Sequence, residues 1–302
     1  MDTAIKHHFG KDIKEQIQLT GGWTYQTWLL TLSDNKKVVF RTQRDFETAG
    51  GRKIIIADIL QREKFFYDTV NKRIGHICPE VYAIDGTREY HENSYCIMEY
   101  IDGIPLNSCF PNFDKKKQND ILFKIGETAA KINEIEIDKT HPYVKSRNSW
   151  EDYIANRIYE RISPLVKYEI ITLDEANRIT ENMRHKKAKN TLSFLHLDMR
   201  HCNMIYNNGE IFVLDAENCE FGDPLHELAV IDVGMRGLDA ELLEGYKSIC
   251  SDIDITDEIY FYYKLERLGL VVDVYINEIP DDSEGRQYYL KEFNETKNVL
   301  LS

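Results

Sequence analysis

The chain has 302 residues and a formal net charge of −13, with 51 acidic against 38 basic residues. This balance argues against nucleic-acid binding, because a phosphate backbone attracts clustered Lys and Arg side chains. The 42% hydrophobic content is enough for a sizeable core, and no apolar run approaches the roughly 20 residues of a membrane span. Six scattered cysteines without a CxxC pair favour reduced thiols over disulfides or a zinc site. We therefore expect a cytoplasmic protein that binds neither nucleic acid nor membrane.

The first hundred residues are predicted to be rich in β-strands. Three short β-type runs, separated by turn residues, cover residues 13–19, 24–32 and 37–42. A helix is expected over 52–70, where apolar residues recur near helical spacing. Two more strand-like runs follow at 79–83 and 94–100. Asp102-Gly103 then breaks the pattern and indicates a turn between two lobes.

The remainder of the chain is predicted to be mainly helical. Asp114 and Ser149 are N-cap residues before amphipathic runs. Thr172 and Glu175 form a capping-box pattern for a third helix. A strand-rich segment over 193–214 interrupts this half. Further helices are expected from Leu225, Asp239, Asp257 and Ser283 onward.

The predicted fold class is therefore α+β with two lobes. We expect a β-rich N-terminal lobe over residues 1–100, a hinge at about 99–103, and a helical C-terminal lobe over 104–302. The helical lobe contains the two polar segments that are most informative about function, residues 194–203 and 212–224.

These two segments contain the groups that phosphoryl transfer from a nucleotide requires. His196, Asp198 and Asn203 follow one apolar run, and Asp215 follows the next. The reaction needs one carboxylate to accept the proton of the attacking hydroxyl, together with oxygen ligands for Mg²⁺. Magnesium prefers hard oxygen ligands and few protein contacts, so a carboxamide and a carboxylate beside phosphate oxygens suffice.

Taken together, the motif residues resemble the aminoglycoside phosphotransferase and choline kinase family, which has the protein-kinase-like fold. The residues that carry the resemblance are His196-Leu197-Asp198, Asn203, Asp215 and Gly222-Asp223-Pro224. The order of elements matches over most of the chain, but only the segment 195–229 is specific. Two departures stand out: Leu197 stands where relatives usually have Gly, Trp or similar residues, and Arg200-His201-Cys202 replaces a common His-Pro-Gly.

The resemblance implies a role for each residue of the two segments. Asp198 matches the catalytic aspartate, and His196 matches a loop histidine that braces the loop by hydrogen bonds. Arg200 has no counterpart in the common pattern, and its charge beside Asp198 suits contact with a transferred phosphoryl group. The predicted metal ligands are Asn203, Asp215 and, as a further acidic residue, Glu217.

In the N-terminal lobe, the resemblance implies a nucleotide site. The family's strand cation maps to Arg41, and the helix glutamate that pairs with it maps to Glu63. Arginine can contact phosphate oxygens with two coplanar donors, so it retains the electrostatic role of the lysine in many relatives. The Gly21-Gly22 turn is either a plain hairpin turn or part of a cover over the phosphates. The predicted nucleotide-binding residues are Gly21, Gly22, Thr24, Arg41, Glu63, Glu99, Tyr100 and Ile101.

The predicted activity is Mg²⁺-dependent phosphoryl transfer from ATP or GTP to a hydroxyl of a small molecule. Acidic residues outnumber basic ones between 239 and 295, and such a field attracts cations. An aminoglycoside or a similar cationic antibiotic is therefore the expected acceptor, with a role in antibiotic resistance. The alternatives are a metabolic kinase of the same fold, acting on choline, a sugar or a glycated amine, and a non-catalytic kinase-like binding protein. No feature of the sequence specifies an oligomeric state.

Overall fold

The chain divides into two compact units. A computed structural model describes residues 1–19, 25–47, 53–138, 141, 149–189 and 192–302. The N-terminal unit consists of Met1–Pro111 and Cys202–Cys219, and the helical unit consists of Asn112–His201 and Glu220–Ser302. The segment 202–219 thus belongs to the N-terminal unit, although it lies far beyond residue 104. The lobe boundaries 1–100 and 104–302 stay a prediction.

The α+β fold class is confirmed by the order of helices and strands. The helices are α1 (Asp2–Phe9), α2 (Ile56–Arg73), α3 (Leu106–Cys109), α4 (Lys115–Asn133), α5 (Trp150–Ile162), α6 (Leu173–Arg184), α7 (Pro224–Met235), α8 (Ala240–Lys247), α9 (Glu258–Asn277) and α10 (Ser283–Leu301). The strands are β1 (Ile13–Leu19), β2 (Gln26–Leu32), β3 (Lys37–Gln43), β4 (Phe46–Glu47), β5 (Lys53–Ile54), β6 (Val81–Asp85), β7 (Ser94–Glu99), β8 (Ile104–Pro105), β9 (Ser193–Leu195), β10 (Met204–Asn207), β11 (Glu210–Val213) and β12 (Glu220–Gly222). Among the helices that the structure describes, none is long and apolar enough to cross a membrane.

The N-terminal unit is built on a five-stranded antiparallel sheet with the strand order β1-β2-β3-β7-β6. Helix α1, which the sequence did not predict, packs on one face of this sheet. Its buried residues Ala4 and Ile5 join one apolar cluster with Leu30, Leu32, Val38, Phe40, Tyr95 and Ile97. Side chains alternate between the faces of a strand, so Arg41 on β3 lies on the opposite face. Helix α2 packs against β6 and β7 and bonds to Arg41 from that face.

A β-hairpin formed by β10 and β11 completes the N-terminal unit. Asn208 and Gly209 at its turn both have positive φ, 49° and 97°, as tight two-residue hairpin turns favour. Strand β10 also pairs with β8, and the Val213 N–H of β11 donates to the Ile77 carbonyl at 2.7 Å. Because Met204 pairs with Val213, the residues just before β10 and just after β11 lie at the same end of the hairpin.

Three helices of the helical unit start at the N-cap residues that the sequence predicted. Asp114 accepts a hydrogen bond from the Lys117 N–H at 2.8 Å at the start of α4. Ser149 accepts one from the first turn of α5, and Thr172 begins α6 in a complete capping box. Each cap satisfies amides that have no partner within the helix. These predicted helix starts are confirmed.

Helix α9 lies at the centre of the helical unit, where it packs against α5, α7 and α10. Its buried Glu266 accepts hydrogen bonds from Arg157 on α5 at 2.8 and 3.0 Å. The next residue, Arg267, reaches the loop that follows β9. One turn of α9 therefore carries both a buried acid and an arginine that bonds to the loop after β9.

Strands β9 and β12 form a short ladder. It joins the beginning of the polar segment 194–203 to the end of the segment 212–224. Phe194 on β9 pairs with Phe221 on β12, and their rings stack with centroids 5.1 Å apart. At Gly222, a Cβ atom would overlap the Trp150 indole and approach Leu195. The glycine of the Gly-Asp-Pro motif is thus required by the packing of α5 against β12.

We expect Gly222→Ala to destabilise the protein by about 1–3 kcal/mol, because overpacking displaces buried groups. The Trp150 ring cannot move freely, since its Nε1–H donates to the Tyr263 hydroxyl at 2.7 Å. Urea unfolding of the two proteins measures the difference. Gly234→Ala is the control: its added Cβ would make only ordinary contacts, so it should be neutral or slightly stabilising. Equal stability of the Gly222→Ala variant and the wild type would contradict the packing requirement.

Candidate active site

A closed ring of hydrogen bonds joins four residues of the N-terminal unit. Arg41 Nη1 donates to both carboxylate oxygens of Glu63, at 2.9 and 3.1 Å. The Tyr67 hydroxyl donates to Glu63 at 2.6 Å and accepts from the Asp215 backbone N–H at 2.7 Å. Arg41 Nη2 donates to the Asp215 carboxylate at 3.2 Å. The sequence-predicted residues Arg41, Glu63 and Asp215 are therefore brought together, with Tyr67 as a fourth member.

The charge of Arg41 is buried and strongly paired. The residue is 9% exposed, and burial alone would favour its neutral form. The Glu63 and Asp215 carboxylates outweigh burial and raise the pKa of Arg41 well above its ordinary value. The Tyr25 ring lies over the guanidinium, with its centroid 4.1 Å from Cζ. Arg41 is therefore permanently charged, and its guanidinium is held by bonds on two sides.

The β10–β11 hairpin places two of the predicted metal ligands at one end. Asn203 immediately precedes β10, and Asp215 follows β11 after one residue. The Leu214 N–H donates to the Asn203 carbonyl at 2.9 Å, which extends the ladder beyond the strand ends. Asp215 itself has a left-handed backbone, with φ of 63°. This conformation is unfavourable for a residue other than glycine, so the surrounding bonds hold it in place.

The donor chemistry of this hairpin end fits magnesium. Asn203 and Asp215 offer a carboxamide and a carboxylate oxygen, which are hard ligands. Within the described part of the chain, no group of three or more His, Cys, Asp or Glu side chains is arranged to hold a metal ion. A small set of protein oxygen ligands completed by phosphate oxygens is usual for magnesium at nucleotide sites.

Glu217, the third predicted metal ligand, is held through its backbone. Its carbonyl accepts a hydrogen bond from Arg62 on α2. Its charge is one of those that raise the pKa of Tyr25, although burial is the main cause. Glu217 thus lies in the electrostatic environment of Arg41 and Tyr25, and its role as a metal ligand stays a prediction.

The predicted hinge begins at Glu99, the last residue of strand β7. The Glu99 N–H already donates to the Glu80 carbonyl at 2.7 Å, so this amide is engaged in the fold. Lys37 lies over the Tyr100 ring at 5.3 Å from its centroid, and Ile101 is buried. The predicted phosphate-cover residues Gly21, Gly22 and Thr24 lie outside the described residues.

In the helical unit, backbone hydrogen bonds shape the loop that carries Asp198. The Nδ1 atom of the fully buried His196 accepts from the Asp198 N–H at 3.1 Å, so its ring proton is assigned to Nε2. The Arg200 N–H donates to the Asp198 carbonyl at 3.0 Å. Leu197, which lies between His196 and Asp198, has a left-handed φ of 60°. His196 thus bonds to the loop backbone at Asp198, and its part in the reaction stays a prediction.

Glu227 on α7 lies within the specific segment 195–229, but the sequence predicted no role for it. It is fully buried, and its carboxylate accepts from the backbone N–H groups of His196 and Leu197. Burial raises the pKa of Glu227 to about 7, and the nearby Asp198 charge acts in the same direction. The two N–H donors oppose this shift but do not cancel it. Glu227 thus holds the loop through two of its backbone N–H groups.

Two arginines bond to the carboxylate of Asp198. Arg267 Nη2 lies 2.6 Å from Oδ1, and Arg200 Nη2 lies 3.2 Å from Oδ2. Asp198 is 5% exposed, so these are partly desolvated charge pairs. The sequence suggested Arg200 through its position in the loop, whereas Arg267 is separated from Asp198 by 69 residues. Arg267 was missed, because only packing of α9 brings it to the loop.

Comparison with known proteins identifies the family. The chain matches the family model "Phosphotransferase enzyme family" (APH) over residues 15–249. The chain belongs to this family. It is therefore a phosphotransferase that acts on hydroxyl acceptors, and the resemblance seen in the motif residues is confirmed. A search of curated protein sequences gives no significant match.

Solved structures of APH-family and related enzymes share the fold. The streptomycin-ATP-APH(2")-IIa ternary complex has a TM-score of 0.66 and 18% identity, covering 97% of this chain and 94% of that one. ADP-bound aminoglycoside phosphotransferase APH(2'')-Ib has a TM-score of 0.64 and 17% identity, with coverages of 98% and 97%. Choline kinase from Cryptosporidium parvum has a TM-score of 0.62 and 14% identity, with coverages of 95% and 90%. The protein-kinase-like fold is thereby confirmed.

We expect Leu197→Gly to be less destabilising than Leu197→Ala. Both variants lose the buried apolar contacts that Leu197 makes with Leu195 and Val230, but only glycine relieves the left-handed backbone, by about 1 kcal/mol. This reverses the ordinary order, in which alanine is the milder replacement. Urea unfolding of the wild type and the two variants measures their free energies of unfolding. If Leu197→Ala is the more stable variant, the left-handed conformation does not limit the loop.

We expect Glu227→Gln to remove a pH dependence of stability between about pH 5 and 7. Because the pKa of Glu227 is raised from 4.5 to about 7 on folding, its contribution is full below 4.5 and is lost as the pH rises through 7. The difference between wild type and variant should change by about 1.4 kcal/mol per pH unit in this window. Urea unfolding at several pH values measures it. Asp223, whose pKa burial raises to about 6, is present in both proteins, so its effect cancels. A constant difference would contradict the burial of an ionisable Glu227.

Proposed function

We propose that this protein transfers the terminal phosphoryl group of a nucleoside triphosphate to a hydroxyl of a small molecule, in a Mg²⁺-dependent reaction. The observation that supports this proposal most strongly is the joint occurrence of the Arg41–Glu63–Tyr67–Asp215 ring and the Asp198 loop in a member of the phosphotransferase family. The relatives in complex with ATP and with ADP favour a nucleotide donor.

On the donor side, the N-terminal unit supplies fixed charges for a nucleotide. Arg41 would contact phosphate oxygens, while Glu63 and Tyr67 hold it in place. Asn203 and Asp215 would hold Mg²⁺, which neutralises charge on the phosphates when bound. Nucleotide binding would take Asp215 away from Arg41, and the Tyr67 hydroxyl would still hold the Asp215 backbone. Backbone groups near Glu99 to Ile101 would bind the base.

On the acceptor side, Asp198 would orient the hydroxyl and accept its proton. His196 and Glu227 fix the loop through its backbone, so the carboxylate is held ready before the substrate binds. Arg200, beside Asp198, would contact the transferred phosphoryl group. A loose phosphoryl-transfer transition state requires chiefly positioning and charge neutralisation, and these are the roles that the named residues can perform.

The acceptor class is the finer part of the proposal. A cationic acceptor such as an aminoglycoside remains a hypothesis, supported by the acidity of the chain and by the streptomycin complex of a structural relative. The choline kinase relative favours a metabolic acceptor equally well.

We expect Asp198→Asn to lower turnover by about 10²–10⁴-fold or more, because the amide cannot accept the hydroxyl proton, with nucleotide affinity nearly unchanged. A nucleotide-consumption assay over a panel of acceptors and calorimetry with the magnesium nucleotide measure the two quantities. Asp232→Asn is the matched control: Asp232 is also buried and paired with a cation, Lys264 at 2.9 Å, but has no proposed part in catalysis. Retained turnover in Asp198→Asn would refute the proposal, and absence of magnesium-nucleotide binding in the wild type would favour a non-catalytic binding protein.

A further inference from the structure

The backbone of the segment that follows β11 is held by helix α2. The Tyr67 hydroxyl accepts a hydrogen bond from the Asp215 N–H at 2.7 Å. Earlier on α2, Arg62 Nη2 donates to the Glu217 carbonyl. The Arg62 carbonyl in turn accepts from Cys219 Sγ at 3.7 Å. All of these residues belong to the N-terminal unit, and α2 bonds to the segment at three of its residues.

The Tyr67 hydroxyl is bonded on both sides. It donates to the Glu63 carboxylate at 2.6 Å while it accepts from Asp215, and the side chain is buried. Burial raises the pKa of Tyr67 well above its ordinary value, and the Glu63 charge acts in the same direction. The hydroxyl therefore keeps the proton that it donates to Glu63, and its oxygen is left to accept the Asp215 N–H. A phenylalanine could make neither bond.

Asp215 needs such support for two reasons. Its φ of 63° is unfavourable for a residue with a side chain, so its conformation depends on surrounding bonds. Its carboxylate is also the candidate metal ligand, and Arg41 donates to that carboxylate at 3.2 Å. A bound metal would compete with Arg41 for the carboxylate. The bond from Tyr67 reaches the backbone instead, so it would persist when the carboxylate binds a metal.

We propose that Tyr67 is a positioning residue for magnesium, because its hydroxyl keeps Asp215 in the backbone conformation that presents the carboxylate to the metal. This inference rests on the proposed function, in which Asp215 binds magnesium. Removal of a group that orients a metal ligand by hydrogen bonds typically lowers metal affinity about tenfold to a hundredfold. Tyr67 therefore sets the magnesium affinity of the nucleotide complex and has little effect on binding of the metal-free nucleotide.

The test is calorimetry on the full chain with non-hydrolysable analogues of ATP and GTP, each titrated once with excess magnesium and once with a chelator. For the analogue that the wild type binds, the ratio of the two dissociation constants measures how much magnesium strengthens binding. In Tyr67→Phe we expect this ratio to fall about tenfold, because the Asp215 N–H loses its acceptor. Binding in the chelator should be unchanged, since Arg41 keeps both bonds to Glu63.

Tyr260→Phe is the matched control. The Tyr260 side chain is also buried, and its hydroxyl donates to the Asp232 carboxylate at 2.6 Å. It lies in the helical unit and has no proposed part in magnesium binding. Loss of a buried hydrogen bond should lower the thermal stability of both variants, but Tyr260→Phe should keep the wild-type ratio. If Tyr67→Phe does not fold, as judged by thermal melting, Arg62→Met replaces it: this variant removes the bond to the Glu217 carbonyl, and its ratio should also fall.

An unchanged ratio in Tyr67→Phe, or in Arg62→Met where that variant replaces it, would overturn the inference. This holds even if the variant binds the nucleotide more weakly, because an equal loss with and without magnesium is the result of a purely structural role. An equal fall of the ratio in Tyr260→Phe would overturn it too, since the ratio would then follow stability. A wild type that does not bind the nucleotide, or binds it equally well without magnesium, would instead refute the proposed function, so the two failures are distinguishable.

Discussion

The buried guanidinium of Arg41 is the constraint on which the N-terminal unit's functional geometry depends. A charge removed from water must be paired and fully hydrogen-bonded. Glu63 and Asp215 supply the opposite charges, and Tyr67 joins those two acids through its hydroxyl. Since the four residues come from the sheet, from α2 and from the segment after β11, satisfying one buried charge also fixes three separate elements. The metal-ligand candidate Asp215 is thus positioned by a structural requirement.

The helical unit fixes its functional aspartate differently. Asp198 is oriented through the backbone of its loop, by the buried acceptor Glu227 and by His196, while its side chain is paired with arginines. Both aspartates depend on a left-handed residue: Asp215 adopts this conformation itself, and Leu197 adopts it immediately before Asp198. Unfavourable backbone conformations of this kind persist only where several surrounding contacts enforce them. The two sites share this form of local strain but not the interactions that maintain it.

Local sequence signals predicted the elements well, whereas long-range partners were only partly accessible. Asp114, Ser149 and Thr172 begin helices because a cap depends on the next few residues alone. Helix α1 was missed, since eight residues nucleate poorly without the tertiary burial of Ala4 and Ile5. Tyr67 could have been found, because it lies four residues after Glu63 on one helix face. Arg267 carried no such signal: α9 is buried on several sides, so its pattern does not reveal which face meets the loop.

Residues 202–219 complete the N-terminal unit, but they are made long after the rest of it. Strand β8 at Ile104–Pro105 cannot pair until β10 has been made, about a hundred residues later. Arg41 likewise cannot bond to Asp215 until the segment after β11 exists. The ribosome therefore produces all of α4, α5 and α6 before the N-terminal unit has its last strands. During this interval Arg41 can pair with the Glu63 carboxylate but not with that of Asp215. Long-range closure of this kind slows folding. A truncated chain that stopped at residue 111 would lack β10, β11 and Asp215, and so could not form the complete ring.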